Sequence, residues 1–464
     1  VIGEIGPNGK RERELWQTGN WSGYASSSIL EPVMWLYKRT KEPRYLDFAT
    51  YIVKGMSEPK TGPRLIDLAL KGLSVADRNI DMPADAEEYG EYVAKHSRSK
   101  AYEMMSCYQG LLEYYEVIRR EDLLQAAVAS ARNIIKEELT LAGGCACSER
   151  WFHGRSKQPR SQYHLQETCV TITWMRLCEK LLNLTDDPFW ADQIERSFYN
   201  AYLGALKKDG SEFEAYTPLN GSRWHGMHHC FMHTDCCTAN GPRGFLCFLR
   251  EFCRADDRTT TFNFYGSAQV KGFDMYSLYP RTDAVRIVSH TAGPMKVRLR
   301  IPSWSAKSVV KLNDETLSGA KGGAYFVLDR SWKLGDVVEL KFDMPVVANR
   351  VGHYVAFTRG PILLARDSRF DDGDLMEPMW TDDEAWKIPE DGTVMQTFSA
   401  VCTPSDDMWM AFSAVLPLGT HCENPEGGNP VSVFFCDFAS AGNTWSRKNY
   451  YRTWFPIEIG PWGR

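Results

Sequence analysis

Between Trp21 and Ala255 the apolar residues recur at i, i+3, i+4 and i+7, the spacing that gathers them on one face of an α-helix. Ile29, Val33, Met34, Leu36 and Tyr37 form one such stripe, and Tyr45, Phe48, Ala49, Ile52 and Val53 form the next. The same period predicts helices over residues 66–73, 102–118, 123–135, 168–182, 189–206 and 245–252. Short polar turns join them in pairs, among them Lys41-Glu42-Pro43, Arg119-Arg120-Glu121 and Thr185-Asp186-Asp187-Pro188. Pro43 and Pro188 stand where the first turn of a helix tolerates a missing N–H. The pattern predicts an all-helical domain of repeated αα hairpins, although periodicity alone does not separate a toroid from a solenoid.

After Ala255 the period changes from helical to alternating. Residues 259–265, 285–288, 297–301, 309–312, 325–328 and 337–340 are short runs rich in β-branched and aromatic side chains. Turn formers such as Asn313-Asp314 and Gly335-Asp336 separate them, at intervals that fit a β-sandwich. Acidic residues and turn formers dominate 371–392, which reads as a loop-rich connection. From Val394 onward the chain looks β-like again, and it is expected either to complete the sandwich or to pack back on the helical part. The expected division is therefore a helical domain over 1–255, a β-sandwich over 256–370, and a loop-rich, then β-rich segment over 371–464.

Composition narrows the function without choosing it. At 464 residues, 43% hydrophobic and 24% charged, the chain can bury a large core and is long enough for several domains. A net charge of -5 without a run of like charges gives no footprint for nucleic acid or an anionic membrane surface. No segment approaches eighteen consecutive apolar residues, so no membrane span is expected. The first twenty residues are too polar for a signal peptide, and a chain opening on Val1 is expected to lack an N-terminal portion. Thirteen cysteines are too few for a disulfide scaffold, and an odd number cannot all pair. Fifteen Trp and 21 Tyr supply flat faces on which sugar rings can rest, as well as core volume.

The densest chemistry lies in residues 225–237, where His225, His228, His229, His233, Cys230, Cys236 and Cys237 collect four of the chain's ten histidines and three of its cysteines. Thiolate and imidazole are ligands that zinc prefers, and a metal holds a thiol ionised at neutral pH. The spacing matches no common zinc-finger pattern, and three other readings stay open: a structural zinc, a vicinal Cys236–Cys237 disulfide, or buried cysteines acting as small hydrophobes. Upstream, Gln166-Glu167-Thr168-Cys169 precedes the helical stripe at 168–182. Two residues apart, Glu167 and Cys169 do not share a helix face, so both reach one ion only from a helix's first turn. With Cys236 and Cys237 they would make a closed set of one carboxylate and three thiolates, suited to tetrahedral zinc. Equally, Glu167 complements a helix dipole and Cys169 fills core.

Three of these segments carry a resemblance. Cys236-Cys237-Thr238-Ala239-Asn240-Gly241-Pro242-Arg243-Gly244, Gln166-Glu167-Thr168-Cys169-Val170-Thr171 and Ser148-Glu149-Arg150-Trp151-Phe152 are similar to signature segments of glycoside hydrolase family 127, whose best-known members are β-L-arabinofuranosidases. The likeness extends to Trp16-Gln17-Thr18-Gly19-Asn20-Trp21, to Tyr102-Glu103-Met104-Met105-Ser106-Cys107-Tyr108, and to Leu299-Arg300-Ile301-Pro302-Ser303-Trp304 in the β part. It spans roughly residues 14 to 365.

The resemblance implies an (α/α)6 barrel followed by a β-sandwich, and an exo-acting retaining glycosidase that uses zinc. On that footing Glu167, Cys169, Cys236 and Cys237 would be the zinc ligands, Cys236 the nucleophile and Glu149 the general acid/base. Retaining hydrolysis ordinarily uses two carboxyl groups about 5 Å apart; here a thiolate would replace the attacking one. Trp151 and Phe152 would offer Glu149 an apolar wall that raises its pKa. The implied substrate is a glycan ending in a furanose such as β-L-arabinofuranose, from plant cell walls. One departure concerns the sugar: the arabinofuranosidases carry a histidine in the helix corresponding to residues 103–113, and this chain has none there. His228 and His229 are then candidates to contact the sugar or orient the site, and Arg243 to pair with a substrate carboxylate or to cap local backbone. Two other readings are a hydrolase of a rarer branched or acidic pectin sugar, and an inactive zinc-stabilised carbohydrate-binding protein. A redox protein built on Cys236-Cys237 is a third. Sugar scavenging points to a bacterial periplasm and a reduced nucleophilic cysteine to cytosol; the periplasm is the expectation.

Overall fold

A computed structural model describes residues 4–5, 9–10, 13–18, 23–58, 62–78, 99–160, 164–223, 236–380, 389–419 and 429–458. The chain forms two compact units, Val1–Leu184 and Thr185–Arg464.

The first unit is helical. Its main helices are Leu30–Thr40, Pro43–Gly55, Ala101–Ile118, Glu121–Asn133 and Thr168–Thr185, the last reaching the unit's boundary. Each matches one of the apolar stripes. The turns behave as their residues dictate: Lys41 and Arg119 take left-handed backbone at helix C-termini, and Pro43 opens its helix. Ala101–Ile118 is the centre of the unit, because its apolar residues run round the whole surface rather than along one stripe; Met104, Met105, Cys107, Tyr108, Leu111 and Leu112 are all fully buried. It packs against Leu30–Thr40 closely enough that a Cβ on Gly110 would stand 2.8 Å from the Glu31 backbone. Charged residues inside this packing are paired: Lys38 and Lys180 both bond Glu113, and Arg176 reaches Glu31 at 2.7 Å. Burial opposes the Glu113 charge, but the two lysines prevail and hold its carboxyl below the ordinary value.

The second unit begins with the helix Phe189–Ser197 and continues through Cys236–Asn240 and Pro242–Phe252 before turning to strands. A four-stranded sheet takes the order Ala324–Trp332, Gly293–Ile301, Thr259–Phe262, Cys253–Ala255, and an antiparallel six-stranded sheet takes the order Ala268–Val270, Phe273–Tyr276, Ala284–Ser289, Val337–Lys341, Val309–Leu312, Glu315–Leu317. Phe273 of the second sheet meets Phe262 and Trp332 of the first edge to face, so the two form the expected sandwich. Buried Arg300 ties that sandwich to the helix Phe189–Ser197, bonding Asp192 and, at 2.6 Å, Glu195, which also accepts the Tyr279 hydroxyl at 2.6 Å.

The strands after Val394 pair with strands on both sides of the expected boundaries. Val394–Met395, Phe398–Val401, Ala411–Leu418, Asn429–Asp437, Tyr451–Arg452 and Phe455–Glu458 join Val346–Val351, Tyr354–Arg359 and Ile362–Asp367 in a separate eleven-stranded sheet. At its edge Tyr451 and Arg452 pair with Gly221 and Asn220. Ile362–Asp367 is buried along its entire length, and a strand covered on both faces can belong to this inner position and not to a sandwich edge. No helix among the described residues is long and apolar enough to cross a membrane.

Candidate active site

Two backbone devices set out the first group of residues. Gln166 has left-handed backbone at φ 59°, and directly after it the Glu167 carbonyl accepts the Thr171 N–H at 2.9 Å, beginning the helix Thr168–Thr185. Glu167 and Cys169 thus occupy the start and first turn of that helix, the one place from which both can serve one ion. Both are 3% exposed. Gln166 is itself held, its N–H on the Ala146 carbonyl at 2.9 Å and its side chain on Thr140 at 2.5 Å.

The segment around Glu149 is bent sharply. Ala146, Ser148 and Glu149 lie at φ 72°, 46° and 66°, three left-handed positions in four residues, none of them glycine. Such backbone persists only where surroundings over-determine it. Here Cys147 is bridged to Arg150 and Leu165, the Ser148 N–H bonds the His164 carbonyl at 2.9 Å, and the Glu149 carbonyl accepts the Ala101 N–H at 3.0 Å. The Glu149 side chain is 17% exposed, and its carboxylate pairs with Lys100, whose side chain is 8% exposed. Trp151 and Phe152 are buried, yet the group bonded to Glu149 is the Lys100 ammonium; the Trp151 indole N–H instead meets the Met104 sulfur at 3.4 Å. Behind the bend, buried Glu138 accepts the N–H groups of Phe152, His153 and Gly154 at 2.9, 2.9 and 3.2 Å. Burial nevertheless dominates and pushes its carboxyl up to about 7.

The other group lies on the short helix Cys236–Asn240. Cys236 is exposed and Cys237 buried. Tyr202 fixes the end of this helix by donating to the Gly241 carbonyl at 2.7 Å, and Pro242 starts the next. Arg243 bonds the Asn240 side chain at 2.9 Å. His228 and His229, with His225, Cys230 and His233, lie outside the described residues.

Glu167 and Cys169 stand at the start of a helix of the first unit, and Cys236 and Cys237 on a short helix of the second. One carboxylate and three thiolates are, in number and chemistry, a donor set that tetrahedral zinc takes. Glu167, Cys169 and Cys237 are buried, and Cys236 is exposed.

Two residues near Glu149 carry no sequence signal of their own. Lys100 precedes the helix Ala101–Ile118 at its N-cap, a position where a lysine fits no motif. Glu103, one turn on, has a carboxyl that burial pushes up while Lys100 and Arg150 pull it down. Its i,i+3 spacing from Lys100 was the available clue.

Residues 20–248 match the family described as the β-L-arabinofuranosidase GH127 catalytic domain, and residues 266–344 match the GH127 middle domain. A non-reducing end β-L-arabinofuranosidase of Bifidobacterium longum subsp. longum is 22% identical over 382 residues. That match takes in 73% of this chain and spans 57% of the relative's length. Among solved structures, one described as a glycoside hydrolase superposes with a TM-score of 0.69 at 18% identity, over 96% of this chain and 77% of the other. A GH127 β-L-arabinofuranosidase from Geobacillus stearothermophilus T6 gives 0.68 at 19% identity, over 98% and 75%. At these identities the structural likeness establishes the fold.

Proposed function

Because this chain belongs to glycoside hydrolase family 127, whose catalytic and middle domains it matches in order, we propose that it is an exo-acting retaining glycoside hydrolase with a cysteine nucleophile. Its proposed substrate is a plant cell-wall glycan ending in a furanose such as β-L-arabinofuranose. Within this reading the helices form an (α/α)6 barrel, and the working division remains 1–255 for catalysis, 256–370 for the sandwich and 371–464 for the C-terminal part.

The observation that carries the reading is the donor set of Glu167, Cys169, Cys236 and Cys237, in which Cys236 alone is exposed. A zinc ion held by these four supplies the positive charge that keeps a cysteine ionised at neutral pH. The Cys236 sulfur attacks the anomeric carbon as the bond to the leaving oxygen breaks, and Glu149 gives that oxygen its proton. Water then attacks the same carbon, Glu149 takes its proton, and the carbon–sulfur bond breaks to return the thiolate. Two inversions give net retention. Lys100 pairs with the Glu149 carboxylate, the form that Glu149 takes after giving up its proton and before water returns one. His228 and His229 are the proposed sugar contacts.

The test pairs elemental analysis with release of p-nitrophenol from its β-L-arabinofuranoside, on wild type and Cys236→Ser. One zinc per chain in wild type, with turnover lost in the variant, is the expected result. Zinc without release would overturn the sugar assignment and send the search to acidic or branched pectin fragments. No zinc in freshly reduced protein would overturn the metal centre.

A further inference from the structure

The solvent face of the six-stranded sheet carries a second feature. Alternation along its strands turns Phe273, Ile287, Val338 and Val310 inward, all of them at most 1% exposed. Outward, the register sets Tyr276 opposite Arg286, Arg286 opposite Glu339, and Glu339 opposite Lys311. Neighbouring strands stand about 4.8 Å apart, so this row runs roughly 14 Å across the sheet. Beside it Ala284 lies opposite Lys341. Ala284 is the small member, and a groove of about 450 Å³ lies over these residues.

The groove holds three cations and one carboxylate, on a chain whose net charge is -5. Arg286, Lys311 and Lys341 form no ion pair with a carboxylate among the described residues, although Glu339 stands in register with two of them. Positive charge is thus left unneutralised where a partner was within one strand's reach. Tyr276, 53% exposed, stands at one end of the row.

We infer that this groove binds an acidic oligosaccharide, with uronate carboxylates on Arg286, Lys311 and Lys341 and a sugar ring on the face of Tyr276. An arginine fork takes a carboxylate through two parallel hydrogen bonds, a lysine takes it as a point charge, and Glu339 accepts from sugar hydroxyls. The choice of a glycan rests on the proposed hydrolysis of cell-wall glycans; the choice of an acidic one rests on the charge of the groove. Its role is to hold a pectic chain while the terminal sugar is removed elsewhere.

Calorimetry on the full chain with a galacturonate oligosaccharide tests this, beside a neutral arabino-oligosaccharide of equal length and a polyglutamate peptide. The expected result is binding of the uronate that weakens as salt rises, and that falls at least tenfold in the Arg286→Ala, Lys341→Ala double variant and severalfold in Tyr276→Ala. Thermal melting and hydrolysis of the small aryl arabinofuranoside should stay unchanged in both variants. Equal binding of the neutral sugar would overturn the acidic assignment, and equal binding of polyglutamate would overturn the saccharide. Absence of uronate binding, or binding indifferent to the double variant, would overturn the site. Uronate binding without aryl hydrolysis would instead sink the proposed activity and leave the groove standing.

Discussion

Glu149 shows how a single residue is prepared at some cost. A glutamate at φ 66° is uncommon, and the bend that contains it is held by backbone pairing on both sides and by Lys100 on its side chain. If it is the acid/base, Glu149→Gln should lower kcat/KM by about 10² to 10⁴ on natural glycosides. The loss should be much smaller on an aryl glycoside, whose leaving oxygen needs little protonation; equal loss on both would mean a structural role. Glu138 offers a stability test. Its carboxyl is raised from 4.5 to about 7, so the folded state binds the proton more tightly than the unfolded chain, and stability falls as pH rises between those values. At about 1.4 kcal/mol per pKa unit, the full span corresponds to about 3 kcal/mol. Thermal melts should therefore show wild type losing stability from pH 5 to pH 8, while Glu138→Gln, which cannot ionise, lacks that slope. Cys236, Cys237, Glu167 and Cys169 could be picked out in the sequence as candidate donors from residue type and spacing. Lys100 was not, since a lysine at a helix N-cap acquires meaning only when the bend brings Glu149 to it.

At the scale of elements, the helices were readable because each buries one apolar stripe and is bounded by turn chemistry. Lys41, Pro43 and Arg119 sit at ends that their neighbours had already indicated. The sandwich strands were equally readable, Asn313-Asp314 taking the left-handed pair of positions that a tight hairpin requires. What local pattern does not encode is partnership. Ile362–Asp367 pairs with strands more than sixty residues further along, and no alternation in its own sequence says so. Charge partnerships are hidden in the same way: Arg300 in Leu299-Arg300-Ile301 looks like an intrusion into a strand until Asp192 and Glu195 are placed beside it. Arg300→Met would leave two buried carboxylates without their cation, and should cost about 3–5 kcal/mol. Chemical denaturation would register that as a lower midpoint; a loss below 1 kcal/mol would mean that water reaches the cluster.

For the molecule as a whole, composition gave no footprint for nucleic acid or membrane and a few cysteines and acids focused the chemistry, while the change from helical to alternating period marked the two textures of the fold. Metal removal is the test at this scale. A ligand that binds only the folded state stabilises it by RT ln(1 + [L]/Kd), about 4 kcal/mol at a thousandfold excess over Kd. Stripping zinc with a chelator should therefore lower the melting temperature by several degrees and abolish turnover, and zinc alone should restore both. An unchanged melt would mean that the four donors hold no structural ion. The uneven exposure of those donors has a further consequence. Of the described cysteines, Cys236 and Cys402 alone are exposed, and Cys402 has no acid or thiol cluster around it. Among the described residues an electrophile thus meets one exposed thiol of the proposed site and one outside it. Covalent labelling becomes a way to count working sites in a mixed preparation, with Cys402 as the built-in reference for how much protein was there to be labelled.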